Sequence, residues 1–358
     1  MDKNEGEEKY FKGRGSQINT SNKFLKNKYV TEHDEVLDEP LLIDKKTQVF
    51  LEHPKKIVNM IKSPDLMGMY SMNPYQGCEH GCIYCYARNT HEYWGYSAGL
   101  DFERKIIAKP NAAEVLAKQF MNKNWVVAPI MFSGNTDCYQ PLERKMKITR
   151  QMLEVIVKFR HPVSMITKNS LILRDIDLLQ ELAKLNLVHV MVSITSLRED
   201  LRLKMEPRTA TAKNRLKVIQ ELNNAGIPAG VMTAPIIPGL NSDEIPQLIE
   251  AAADHGADAA GYTIVRLNGA IGELFKDWIY KNFPDRAEKV LHHIQEVHSG
   301  TLSDSRFGTR MSGEGKMAQS IKQLFKMAVK KHLSGRVRVP YDLTAFRRPG
   351  EAKQMELF

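Results

Sequence analysis

Three cysteines fall within eight residues, in the stretch Asn73-Pro74-Tyr75-Gln76-Gly77-Cys78-Glu79-His80-Gly81-Cys82-Ile83-Tyr84-Cys85-Tyr86. The spacing is C-x3-C-x2-C. That is too tight for a disulfide framework, and in a reducing compartment it reads as a metal site. Three thiolates on one loop can take three corners of an iron–sulfur cubane, which leaves the fourth iron open to a small molecule. Gly77 and Gly81 would let the backbone wrap a bulky group without Cβ clashes. The competing reading is a structural zinc ion held by the three cysteines with His80 or His91. Zinc ligands usually come as C-x2–4-C pairs separated by a longer loop, a pattern this stretch lacks. One further cysteine, Cys138, completes the inventory. A second all-cysteine cluster is therefore excluded.

These thiolates need a scaffold, and the flanking sequence describes one. Gly68 to Tyr75 reads as a first strand, followed by the cysteine loop and a helix from about Tyr84. Trp125–Phe132, Val163–Thr167, Leu187–Ile194, Pro228–Ile236 and Ala259–Val265 read as further buried strands. Between them, apolar residues recur at helical spacing, as in Leu153, Ile156 and Val157, or Leu216, Ile219 and Leu222. Short apolar strands alternating with amphipathic helices imply a parallel sheet. Six such units run from about residue 68 to 282, two short of a closed eightfold barrel. The expected class is α/β, a partial (β/α)6 TIM-like barrel spanning 66–282. It follows an N-terminal extension (1–65) and precedes a helical C-terminal region (283–334) and a tail (335–358). In such sheets the chemistry sits at the C-terminal strand ends.

The loop and its setting resemble the radical S-adenosylmethionine (SAM) superfamily, whose hallmark is C-x3-C-aromatic-C after the first strand of a partial barrel. Asn73 to Arg88, Thr136-Asp137-Cys138-Tyr139-Gln140-Pro141-Leu142-Glu143 and Glu206-Pro207-Arg208-Thr209-Ala210-Thr211 narrow the likeness. So do Thr167 to Asp175 and Ser305-Arg306-Phe307-Gly308. All resemble an uncharacterised radical SAM family related to spore photoproduct lyase, the DNA repair enzyme. The resemblance implies a [4Fe–4S] cluster on Cys78, Cys82 and Cys85, with SAM chelated at the open iron. One electron, from a reductant such as flavodoxin or ferredoxin, would cleave SAM, and a 5′-deoxyadenosyl radical would abstract hydrogen from the substrate.

The resemblance also places SAM. Asp137 follows the second strand, where relatives hold the SAM amino group, and a carboxylate pairs well with an ammonium. The common Gly-Gly-Glu of the superfamily is missing there, and local capping is the plain alternative. Ser193 and Thr195 after the fourth strand suit a ribose, and Arg208 suits the SAM carboxylate. Ile236 and the Ile237-Pro238-Gly239 turn offer an apolar strip for adenine, with the Tyr84 backbone on the same side. Arg266 ends the sixth strand, facing substrate. Cys138 resembles the cysteine with which spore photoproduct lyase returns a hydrogen atom to its product radical. Its alternative role is that of a small buried hydrophobe.

The formal net charge is +9. From Pro284 onward there are 14 Lys/Arg against 8 Asp/Glu, so six units of the excess lie there. An anionic partner such as nucleic acid fits this, and so does a solvated basic surface. A peptide or small-molecule substrate is the other reading of the same enzyme class. No run approaches the roughly 18 apolar residues of a membrane span, and the first residues lack a signal-peptide core. A cytoplasmic protein without a membrane partner is expected. The final residues, Gln354-Met355-Glu356-Leu357-Phe358, resemble the Gln-x-x-Leu-Phe peptide that docks bacterial repair proteins on the sliding clamp. Gln354, Leu357 and Phe358 would make the contacts.

Overall fold

The computed structural model describes residues 10–25, 46–66 and 69–350. Its strands are β1 (Gln48–Leu51), β2 (Val58–Met60), β3 (Tyr70–Met72), β4 (Tyr75–Gln76), β5 (Lys105–Ala108), β6 (Ile130–Phe132), β7 (Val163–Thr167), β8 (Val188–Ser193), β9 (Ala229–Ile236) and β10 (Ala260–Ile264). Six of them, in the order β3-β6-β7-β8-β9-β10, pair in parallel. β2 is added antiparallel at the β3 edge. The two edges of this sheet, β2 and β10, do not pair with each other, so the barrel is open, as six βα units require. β1, β5 and β4 form a separate small sheet beside it.

Two strands are shorter than their apolar patterns suggest. Pro129 lacks an N–H, so the run from Trp125 joins the sheet only at Ile130, while the Pro129 carbonyl accepts from Tyr70 N at 3.1 Å. Trp125 instead stacks on Tyr70, ring centroids 5.0 Å apart. The first strand breaks at Asn73-Pro74, and Tyr75 and Gln76 pair with β5 instead of β6. The helix after the cysteines, Tyr86–Trp94, is a 3-10 helix.

One apolar face of the sheet (Met72, Ile130, Phe132, Val163, Val190, Val192, Val231) packs under helices such as Ile148–Phe159, Ala212–Asn224 and Ile245–Asp254. The helices Ala287–Val297 and Gly315–His332 follow the barrel, and Phe325 of the second lies against Tyr262 of β10. Residues 336–348 then run back along the N-terminal strand ends. Arg338 pairs with Asp258 through Nε at 2.9 Å, Tyr341 lies over His189 and Phe346 stands edge-on to His161. Gln354, Leu357 and Phe358 lie outside the described residues. Among the described residues no helix is long and apolar enough to cross a membrane.

Candidate active site

The cysteine loop sits at the C-terminal end of the sheet, pinned on all sides by main-chain bonds. Cys78 N donates to Phe102 O at 2.9 Å, Ile83 N to Met205 O at 3.0 Å, and Arg208 N to His80 O at 3.3 Å. Gly77 and Gly81 have φ of 78° and 70°. A Cβ on Gly77 would come within 2.9 Å of the Lys105 carbonyl oxygen, so both the backbone angle and the close approach require glycine. Cys78 and Cys82 are buried and Cys85 is half-buried. Burial pushes all three thiols above their ordinary range. Such thiols stay protonated until a metal cation draws the protons off. Among the described residues, no three Cys, His, Asp or Glu side chains converge on one metal ion.

Behind Tyr84, which separates the second and third cysteines, lies a buried ionic cluster. Its hydroxyl donates to Glu206, which also accepts from Thr195 Oγ1. Glu206 meets Arg215 Nη2 at 2.5 Å, and Arg215 Nη1 donates to Ser193 O at 2.8 Å. Burial works to raise the Glu206 pKa, but Arg215, Lys168 and the two hydroxyls hold it down at about 2. The network thus ties the ends of β8 and the 206–215 loop to the cysteine loop. Three of the expected residues, Tyr84, Ser193 and Thr195, are brought together here.

Lys168, directly after β7, joins them. Its ammonium lies 5.9 Å from the Tyr84 ring centroid and forms no ion pair among the described residues. Burial alone would lower its pKa; Cys82 and Glu206 hold it above the usual range. Asp137 is engaged by the chain itself. It accepts from Thr167 Oγ1 at 2.9 Å, Lys168 N at 2.8 Å and Tyr139 N at 2.9 Å, and it faces His80 Nδ1 at 3.4 Å. It thereby fastens β7 to the cysteine loop through His80, whose Nε2 accepts from Asn169 Nδ2 at 3.3 Å.

The other expected residues are spread more widely. Ile236 is buried at the end of β9. Arg266 is half-buried beside Arg310, and burial lowers its pKa. Arg208 turns toward Glu79, 3.7 Å away, and lines a cavity of about 450 Å³ with Arg144, Asn169, Ser170, Thr209 and Asn214. Cys138 is fully buried in the main core; its N–H donates to Ser133 Oγ at 2.9 Å.

Sequence reasoning missed Lys168, Glu206, Arg215 and Arg144. The first two were visible as members of the quoted stretches Thr167–Asp175 and Glu206–Thr211. What each does depends on burial, which those stretches do not encode.

A family model described as the Radical SAM superfamily matches residues 72–252. An uncharacterized protein of Mycobacterium tuberculosis is 32% identical over 218 residues, 60% of this chain and 64% of its own length. The chain therefore spans just under two thirds of that relative. A Pseudomonas phage M6 protein named radical SAM Nalpha-GlyT isomerase is 24% identical over 230 residues, 63% of this chain and 46% of its own. Among solved structures, a spore photoproduct lyase variant with bound AdoMet and dinucleoside spore photoproduct superposes with a TM-score of 0.58. It is 16% identical and covers 80% of this chain and 79% of its own, a likeness of fold.

Proposed function

The chain belongs to the radical SAM superfamily, and from that premise we propose that Cys78, Cys82 and Cys85 hold a [4Fe–4S] cluster, that SAM binds beside it, and that the substrate is a nucleic acid. The donor set fits: three thiols on one loop, with Gly77 where a Cβ would strike the Lys105 backbone and Gly81 where one would strike the Glu103 carboxylate. When bound, the cluster and SAM together supply a 5′-deoxyadenosyl radical that takes hydrogen from substrate, the electron coming from a donor such as flavodoxin or ferredoxin.

The chain's own part is to bind and orient. Lys168 presents an ammonium, suited to the SAM carboxylate, on the same rim as Tyr84. Ser193 and Thr195 lie at the end of β8 for the ribose, and Ile236 offers apolar surface to the adenine. Asp137 serves the site by fixing His80 and β7. Arg266 faces the substrate side. Cys138, enclosed by core, serves packing in this reading.

The observation that carries the nucleic-acid reading is the cavity beside the cysteine loop, lined by Arg144 and Arg208 and by four polar side chains. Arginine is the side chain best matched to phosphate geometry. Binding of single- and double-stranded DNA by anaerobically purified protein, measured across salt, tests it. Affinity should fall steeply with salt, and Arg144→Ala should reduce the slope of log K against log salt by about 0.9 on duplex. Absence of salt-dependent binding would favour a peptide or small-molecule substrate instead.

A further inference from the structure

Residues 13–16, remote from the cysteines in sequence, lie against the back of the cysteine loop. Gly15 N and Ser16 N donate to the Glu103 carboxylate at 3.1 and 2.8 Å. The same carboxylate takes Arg88 Nη2 at 2.5 Å, and Arg88 Nε donates to the Cys82 carbonyl at 2.9 Å. Arg88 Nη1 donates to Ala98 O and Gly99 O, and Arg14 Nη1 reaches Glu103 O at 2.6 Å. Glu103 and Arg88 are both 0% exposed. A continuous chain of bonds therefore runs from the N-terminal segment, through two buried charges, to the carbonyl of the second cysteine.

The backbones touch as well. A Cβ on Gly15 would sit 1.7 Å from the Gly81 carbonyl oxygen, and one on Gly81 would sit 2.8 Å from Glu103 Oε2. A side chain on Gly15 would displace the loop backbone, and one on Gly81, where φ is 70°, would push the Glu103 carboxylate away.

We infer that Gly15, Ser16 and Glu103 are positioning residues of the cluster site. The N-terminal segment is a fitted cover that fixes the Cys78–Cys85 loop from behind. The role in cluster retention rests on the cluster reading above; the cover itself does not. Outer-shell partners of this kind typically change metal affinity by about 10- to 100-fold when removed.

Two readouts on Gly15→Ala and Glu103→Gln test this. A core variant remote from the segment, Leu222→Ala, controls for destabilisation alone. In metal-free protein, alkylation of Cys82 followed by peptide mapping should run at least about tenfold faster in Gly15→Ala and Glu103→Gln than in wild type and Leu222→Ala. In reconstituted protein, loss of visible absorbance to a chelator should accelerate by about 10- to 100-fold in the same two variants. Wild-type or Leu222→Ala rates in both readouts would overturn the inference. A wild-type protein that takes up no cluster would sink the cluster reading, while the alkylation rates would still decide whether the cover exists.

Discussion

Arg215 Nη2 and Glu206 Oε2 meet at 2.5 Å, with neither side chain more than 1% exposed. The pair couples the cysteine loop, through Tyr84, to the end of β8. Removing one member strands the other charge in a dry site, which costs roughly 3–5 kcal/mol, whereas replacing both can be nearly neutral. Glu206→Gln should lower the melting temperature by several degrees, and Glu206→Gln combined with Arg215→Met should recover part of the loss. Equal, additive losses in a double-mutant cycle would show that the pair is not coupled.

Lys168→Met should leave iron content intact and weaken SAM binding by roughly 10- to 100-fold, the worth of one charge-assisted hydrogen bond. Isothermal titration of the reconstituted variant with SAM checks this. Unchanged affinity would take Lys168 out of the SAM site.

Acid sensitivity has a defined origin far from the site. His161 Nε2 accepts from Trp125 Nε1–H at 3.1 Å, and indole only donates, so its proton sits on Nδ1, 3.0 Å from Pro162 O. Burial lowers its pKa to about 4, against an ordinary 6.5. Below pH 6.5 the unfolded chain takes up a proton that the folded protein refuses, so stability falls with pH until about 4, where folded His161 protonates too. His91, also lowered to about 4 by burial, acts in the same window. Melting temperatures recorded from pH 7 to 4 should fall, and His161→Phe should make that fall shallower. An identical pH profile in the variant would contradict the assignment.

What was legible in the sequence follows from how each feature is written there. The cysteine spacing is local and survives without a fold, and the strand–helix alternation from β6 to β10 is carried by periodicity. Pro129 shows why strand ends were misjudged: apolar character ran through to Trp125, but the missing N–H ended the ladder. Glu103, Arg88, Glu206 and Arg215 look like surface charges in one dimension. Only the fold shows them buried and paired. The Gly13–Ser16 segment has no periodicity at all, so its seat behind the cysteine loop came from tertiary contact alone.

Cys138→Ala should keep both the iron content and SAM cleavage, because Cys138 is not on the cysteine loop. Loss of a fully buried sulfur should cost about 1 kcal/mol of stability. Turnover at the wild-type rate would support the packing role. Accumulation of by-products after hydrogen abstraction would instead show that Cys138 returns a hydrogen atom to the substrate.

The cluster itself offers the most direct measurement. Anaerobically prepared protein should be brown, hold about four iron and four sulfide per chain, and cleave SAM once reduced. Cys78→Ala, Cys82→Ala and Cys85→Ala should each abolish the colour and the cleavage. A colourless protein carrying one zinc ion, lost in the same three variants, would contradict the account at its centre.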